Sequence, residues 1–153
     1  GVNWGVVLLY AAAISLGLQM KDTGAAKWVA ESFINLLVPL GAESGLGLWA
    51  AISALTTLVT NTMSNGAAVA VLGPIVLNMA TVAGESPILV GFITAVSSAF
   101  AYLTVIGTPA CTIVYAAGYL RTTDFLAVGW KMALISTIVM LLVAKLYWPL
   151  LGV

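Results

Sequence analysis

Charged residues are scarce in this sequence. Asp, Glu, Lys and Arg make up 7% of its 153 residues, whereas hydrophobic residues make up 62%. Soluble domains carry roughly a quarter of their residues as charged side chains, because water must wet their surface. The composition therefore excludes a soluble globule and predicts an integral membrane protein whose main solvent is the lipid bilayer.

Histidine is absent, and cysteine occurs once, as Cys111. These absences exclude disulfides, zinc clusters and histidine-based acid or base chemistry, so we expect no enzyme. Five basic residues balance five acidic ones. Because the chain has no basic excess to meet a phosphate backbone, we expect no nucleic-acid partner.

The first 37 residues predict two different helices. Residues 2–20 are almost all apolar and long enough to cross a hydrocarbon core of roughly 30 Å. Residues 25–37 have one polar side, with Lys27 and Glu31 four residues apart as a solvated pair, and predict an amphipathic interfacial helix. Its predicted apolar side carries Trp28, Val29, Phe33, Leu36 and Leu37. Since the chain begins at Gly1 on an apolar run without a cleavage site, we expect further residues upstream and no signal peptide.

Two apolar limbs, 48–59 and 67–83, predict a helical hairpin whose tip is the polar run 60–66. Glu43 and Glu85 flank this hairpin at its two ends. The limb lengths leave open whether the limbs cross the membrane or stop midway as a re-entrant hairpin. They also leave open whether the tip is an ordinary polar loop outside the membrane. In every case the hairpin returns the chain to the side that it left.

A second interruption follows in the apolar residues 87–120, which are too many for one span and too few for two. Residues 107–110 contain Gly107 and Pro109, and a proline lacks an N–H and disfavours helical backbone in the residue before it. The pattern predicts a discontinuous helix, with a simple proline kink as the alternative. A last span is expected over 125–151, with Thr122 or Thr123 as the N-cap.

Both interruptions leave backbone groups that suit a bound ion. A helix break in hydrocarbon must be packed in protein or line a cavity, because unpaired backbone groups are costly there. Free carbonyls before a break attract cations. We predict that Thr60 and Ser64, one turn apart on one helix face, offer hydroxyl oxygens to a hard cation such as sodium. Carbonyls around Gly107 would complete its coordination.

Free amides after a break attract anions instead. We predict that Asn65 and the amide of Gly66 donate to a small anionic substrate, and that the Thr108 hydroxyl lies on the same side. No basic residue occurs between Lys27 and Arg121. An anion at these breaks would therefore be held by amides, hydroxyls, helix dipoles and a bound cation.

Three motifs, in this order along the chain, resemble a known family. They are WGVVLLYAAAISL followed by KDTGAAKWVA, the hairpin TNTMSNGAAVAVLGPI, and the break IGTPACTIVYAAGYLRTTDFLAVGW. The chain resembles the divalent anion/sodium symporters, which carry dicarboxylates, citrate or sulfate, and covers the C-terminal part of their second inverted repeat. The family's Ser-Asn-Thr signature, which contacts substrate and sodium at the tip of a re-entrant hairpin, corresponds to Ser64, Asn65 and Gly66. Gly66 stands where the family has Thr, which removes one hydroxyl.

The resemblance also implies roles at the two breaks. Thr60 matches a sodium ligand of the family, Gly107 would supply a carbonyl to sodium, and Pro109 would border the substrate. The family's broken helix commonly reads Thr-Pro-Pro-Asn, whereas this chain has Ala110 and Cys111 at the last two positions. The resemblance further implies a homodimer, an elevator-like motion, and an N-terminal half of the same transporter that completes the site.

The predicted protein is an all-α integral membrane protein, with a re-entrant hairpin and a discontinuous helix, that forms half of an inverted-repeat transporter. We expect a membrane helix with an interfacial arm over 1–43, a transport domain over 44–123 and a C-terminal span over 124–153. The expected function is sodium-coupled transport of a dicarboxylate or sulfate-like anion across the cell membrane by alternating access. The alternatives are a non-transporting structural membrane subunit and an ion exchanger of the same superfamily, which would need an acidic residue in the other half.

Overall fold

The chain is all-helical in the computed structural model, which describes residues 4–152. This part contains seven α-helices and two 3₁₀ turns, and no strand occurs in it. The helices are α1 (Trp4–Asp22), α2 (Ala25–Leu37), α3 (Gly45–Thr60), α4 (Asn65–Ala83), α5 (Pro87–Ser97), α6 (Pro109–Ala116) and α7 (Thr122–Leu146), with the 3₁₀ turns at Val38–Leu40 and Trp148–Leu151. The predicted all-α fold is confirmed.

Helices α3 and α4 form the predicted hairpin at the centre of the fold. Its base is closed by one carboxylate, because the Gly45 amide donates to Glu85 Oε1 at 2.7 Å and Trp49 Nε1 donates to Glu85 Oε2 at 3.3 Å. Helices α1 and α2 pack on α4, α5 packs on both limbs, and α7 packs on α3 and α5. The main core residues are Ile34, Leu48, Ile52, Leu72, Val76, Met79, Val90, Ile93 and Met140. The start of α3 and the end of α4 therefore meet, and the hairpin returns the chain to the side that it left.

Two helices in the described residues are long and apolar enough to cross a membrane, Asn65–Ala83 and Thr122–Leu150. Helix α1 forms over nearly the predicted range, and its membrane crossing stays a prediction. Between Lys27–Leu40 and Gly45–Thr60 the helix axis bends by 119°. Together these features give a multi-pass membrane fold. How deeply the hairpin enters the bilayer stays a prediction, as does the division into three domains.

The discontinuous helix is confirmed, but its break begins earlier than predicted. Helix α5 has 11 residues and α6 has 8, which is about 16 Å and about 12 Å of helix, so neither crosses a membrane alone. Helix α5 ends at Ser97, and a non-helical segment of residues 98–108, the crossover segment, joins it to α6. The helix was predicted to continue to residue 106. Beyond α5, the Ser98 carbonyl and the Leu103 amide bond to Thr60 and Asn61 at the hairpin tip.

Helices α4, α5 and α6 each begin at an N-cap residue whose hydroxyl oxygen accepts a backbone amide. Ser64 Oγ accepts the Ala67 amide, and Ser86 Oγ accepts the Leu89 amide. Thr108 caps α6 in the same way, directly before Pro109. Side-chain oxygens at these positions satisfy amides that lack a partner within the helix, and proline is well suited to the first helical position.

Helix α7 begins differently from the prediction. Thr122 and Thr123 were expected as N-caps, but the cap is Arg121 and both threonines lie inside the helix. The reason is Asp124, whose carboxylate reaches back and accepts the Arg121 amide at 2.7 Å. A carboxylate in the first turn also suits the positive end of the helix dipole. The last helix therefore starts at Thr122 and not at residue 125.

Helix α2 has the predicted bounds. It buries Ala30, Ile34 and Leu37 against the hairpin, whereas Trp28 and Leu36 of the predicted apolar side are 70% and 69% exposed. That this side lies in the membrane interface stays a prediction. The Lys27–Glu31 pair is exposed, with a separation of 3.7 Å, as predicted.

Candidate functional site

The hairpin tip, residues 60–66, contains a four-residue turn between two helix ends. Helix α3 ends at Thr60, residues 61–64 turn, and α4 begins at Asn65. The prediction that Thr60 and Ser64 share one helix face is wrong, because Ser64 has an extended backbone and caps the next helix. Thr60 is fully buried, whereas Ser64 is exposed. Their hydroxyls therefore lie on different elements of the tip.

Thr60 joins the hairpin tip to the start of the crossover segment. Its Oγ1 lies 2.7 Å from the carbonyl oxygen of Ser98 and 2.9 Å from Asn65 Oδ1, and it donates its proton to one or the other of these acceptors. A hydroxyl has one proton and two lone pairs. While the proton is held by either acceptor, the lone pairs of Thr60 remain available to a further donor or a cation.

Asn61 holds the crossover segment at the hairpin tip. Its Oδ1 accepts the Leu103 amide at 2.8 Å, and its Nδ2 donates to the Thr57 carbonyl at 2.7 Å and lies 3.4 Å from the Phe100 carbonyl. The backbone oxygen of Asn61 accepts the Thr104 hydroxyl at 2.8 Å. With 4% of its surface exposed, Asn61 is almost fully buried. The Leu103 amide and the Phe100 carbonyl thus find their partners at the hairpin tip and not within a helix.

The side chain of Thr104 lies between Gly107 and the hairpin tip. Thr104 Oγ1, which bonds to Asn61, is 3.3 Å from the position that a Cβ on Gly107 would occupy. The same Cβ would stand 2.8 Å from both Cβ and the carbonyl oxygen of Ala101, so only glycine fits without a shift. Gly107 is buried, and its carbonyl accepts no hydrogen bond in the described part of the chain. The predicted closeness of the tip and Gly107 is thus present in the structure.

The other side of the crossover segment rests on α7. A Cβ on Gly129 would overlap the Tyr102 carbonyl oxygen and stand 3.1 Å from the Leu103 Cα. Only a residue without a side chain lets the segment lie this close to the helix. The crossover segment is therefore held between the hairpin tip and α7.

Helix α6 begins at the far end of the crossover segment. Thr108 Oγ1 accepts the Cys111 amide and donates to Cys111 Sγ, each at 3.2 Å. Cys111 Sγ in turn points at the Ala101 carbonyl at 3.6 Å. Pro109 has no N–H, and the Ala110 amide bonds to none of the described residues. Asn65 and Gly66 likewise keep unbonded amides at the start of α4, within residues 4–152.

The structure thus brings together Thr60, Asn65 and the crossover segment that leads to Gly107, while Ser64 and Gly66 lie at the start of α4 beside them. Two residues that build this arrangement, Asn61 and Gly129, were not predicted as site residues. Asn61 was visible only as a polar residue in the tip, and Gly129 as one of many glycines in apolar helices. Both act through contacts with residues 26 to 43 positions away, which no local pattern reveals.

Comparisons with known proteins agree with this architecture. The family model of the sodium:sulfate symporter transmembrane region matches residues 2–153. An uncharacterised transporter of Synechocystis sp. is 30% identical over 138 residues, which are 90% of this chain and 22% of the relative. The sodium-dependent dicarboxylate transporter SdcS of Staphylococcus aureus (strain USA300) is 27% identical over 147 residues, which are 96% of this chain and 28% of the relative.

A further relative, an uncharacterised transporter of Haemophilus influenzae, is 25% identical over 146 residues, covering 95% of this chain and 31% of the relative. The chain thus spans between a fifth and a third of the length of these relatives. Because the family model covers almost every residue, the chain belongs to the sodium:sulfate symporter family of membrane transporters.

Proposed function

We propose that this chain forms part of a sodium-coupled secondary transporter, not an enzyme, that moves a small divalent anion by alternating access. The anion would be a dicarboxylate or a sulfate-like ion, since a relative is named as a sodium-dependent dicarboxylate transporter. The observation that carries the proposal is the buried contact between the hairpin tip and the crossover segment. The turn of a hairpin and the break of a discontinuous helix meet there, and residues 44–84 and 86–120 contain no charged side chain.

The sodium site would use oxygen ligands from both sides of that contact. Thr60 Oγ1 can turn its lone pairs to a cation while its proton is held by Ser98 O or Asn65 Oδ1. The unbonded carbonyl of Gly107 would be a second ligand, and Ser64 and Asn65 would complete the shell. Sodium is a hard cation that prefers such oxygens.

The anion would sit beside the cation, at the start of two helices. Ser64, Asn65 and Gly66 lie at the N-terminus of α4, and Thr108 and Pro109 lie at that of α6. Helix N-termini attract anions because their amides and their dipole present positive charge. No basic residue occurs between Lys27 and Arg121. Of the groups named here, the bound sodium would therefore carry the one formal positive charge, in addition to the partial charges of the helix N-termini. We also propose that an N-terminal half of the same transporter completes the site and that the transporter is a homodimer.

Uptake into proteoliposomes by the full-length protein tests this proposal. Succinate, citrate and sulfate are offered under an inward sodium gradient, and then under a potassium gradient of the same size. We expect uptake of at least one anion with sodium only. Uptake without sodium would contradict the proposal and would favour an exchanger. Uptake of none of these anions would also contradict it and would favour a non-transporting subunit.

Two substitutions at the tip have matched controls. Ser64→Ala and Asn65→Ala are expected to abolish sodium-driven uptake without preventing membrane insertion, because each removes polar atoms from the site and no charge. Ser86→Ala removes the equivalent capping hydroxyl from α5, at the hairpin base. Asn78→Ala removes an amide that bonds within α4. Both control variants should transport like wild type. Wild-type rates in the two tip variants would indicate that the tip is an ordinary loop and not a binding site.

A further inference from the structure

Asn61 makes more contacts across the site than any residue predicted to bind a ligand there. Its side chain bonds to the Leu103 amide and the Thr57 carbonyl and approaches the Phe100 carbonyl, and its backbone oxygen accepts the Thr104 hydroxyl. The residue is 4% exposed and belongs to neither helix. It therefore fastens the end of α3 to the middle of the crossover segment.

Asn61 is connected to Gly107 through contacts with residues of the crossover segment. Thr104 bonds to Asn61 and stands against Gly107, and Ala101 packs on Gly107 from the other direction. Among the described residues, the hydrogen bonds between the hairpin tip and the crossover segment are those of Asn61 and the bond from Thr60 to Ser98, so without Asn61 one hydrogen bond would remain between them. The separation of two proposed sodium ligands thus depends on a residue that need not touch sodium.

We infer that Asn61 is a positioning residue that sets the sodium affinity of the site by holding the Gly107 carbonyl at the correct distance from Thr60. The inference rests on the proposed sodium-coupled function. Partners that orient the ligands of a metal ion typically change its affinity by roughly 10- to 100-fold when they are removed. Asn61→Ala should raise the sodium concentration for half-maximal uptake by a factor in that range.

Two further variants test whether the change in sodium dependence comes from the contacts of Asn61 with the crossover segment. Thr104→Val removes the bond to the Asn61 backbone and keeps the side-chain bonds of Asn61, so it should shift sodium dependence in the same direction by less. Asn78→Ala is the matched control, because the Asn78 amide donates to the carbonyl four residues earlier at 2.8 Å, as the Asn61 amide does at 2.7 Å, but far from the tip. It should leave the sodium dependence unchanged.

The measurement is sodium-dependent anion uptake by the full-length protein in proteoliposomes, with the half-maximal sodium concentration and the maximal rate determined separately. A purely structural role for Asn61 would lower the maximal rate and leave the half-maximal sodium concentration at the wild-type value, which would overturn the inference. If Asn61→Ala does not insert into the membrane, Thr104→Val decides, and its wild-type sodium dependence would overturn the inference as well. Failure of the proposed function is distinct, since wild type would then show no sodium dependence.

Discussion

The close approach of the crossover segment to α7 gives a prediction that can be worked out in detail. Gly129 lies inside α7, and an added Cβ would overlap the Tyr102 carbonyl oxygen and stand 2.7 Å from its carbon. Because these are backbone atoms, the segment itself must move. Overpacking of this kind costs roughly 1–3 kcal/mol, occasionally more. The glycine-to-alanine change alone would stabilise a helix by about 0.8–1.0 kcal/mol.

Gly73 supplies the matched control. It also lies inside a helix, α4, but an added Cβ there would meet nothing within 4 Å. The gain in helix propensity is common to Gly129→Ala and Gly73→Ala, so the difference between their unfolding free energies isolates the clash. We expect Gly129→Ala to be the less stable of the two by about 1–3 kcal/mol. It should also lose sodium-dependent uptake, because the crossover segment is displaced from the tip.

The assay is thermal unfolding of the full-length protein in detergent, followed by tryptophan fluorescence, with uptake measured on the same preparations. We expect the unfolding midpoint of Gly129→Ala to lie below that of wild type, and that of Gly73→Ala to equal or exceed it. Equal midpoints for the two variants would show that the crossover segment does not press on α7, and would refute the packing of the site described above.

Two further predictions concern the periphery of the fold. Glu85→Ala should lower the unfolding midpoint by an amount that corresponds to about 1–3 kcal/mol, because it leaves the Gly45 amide at the hairpin base without its acceptor; an unchanged midpoint would show that the base does not need this carboxylate. Lys27→Ala should change the unfolding free energy by less than about 0.5 kcal/mol, because its pair with Glu31 is exposed, and a larger loss would mean that this pair has a role in the fold.

The sequence was sufficient for the helices and the hairpin because local residues mark their ends. Ser64 and Ser86 cap helices directly after polar turns, and Thr108 does so before a proline. Such capping residues and breaks in apolar runs follow from the chemistry of neighbouring residues. The all-α membrane fold, the tip of the hairpin and the existence of a broken helix were therefore predictable.

The early end of α5 was not predictable, because residues 99–106 are mostly apolar and contain no glycine or proline. That stretch leaves the helix because Asn61 binds its backbone and Gly129 admits it against α7. Such contacts between distant residues override local helix propensity. The sequence analysis also placed Thr60 and Ser64 on one helix face, whereas Ser64 caps α4 through the Ala67 amide.

The most direct test of the proposed coupling is anion affinity of the full-length protein with and without sodium. Thr60→Val removes a hydroxyl between the hairpin tip and the crossover segment. Thr56→Val, one turn earlier and equally buried, removes a hydroxyl whose one hydrogen bond among residues 4–152 is to the Ile52 carbonyl of its own helix. Because coupling between two ligands is reciprocal, sodium and the anion must strengthen each other by the same factor, commonly about 5- to 150-fold.

We predict that sodium tightens anion binding in wild type and in Thr56→Val, and that Thr60→Val weakens the binding of both ligands together. Equal anion affinity in the presence and absence of sodium in wild type would contradict the proposal that a bound cation supplies the positive charge of the site.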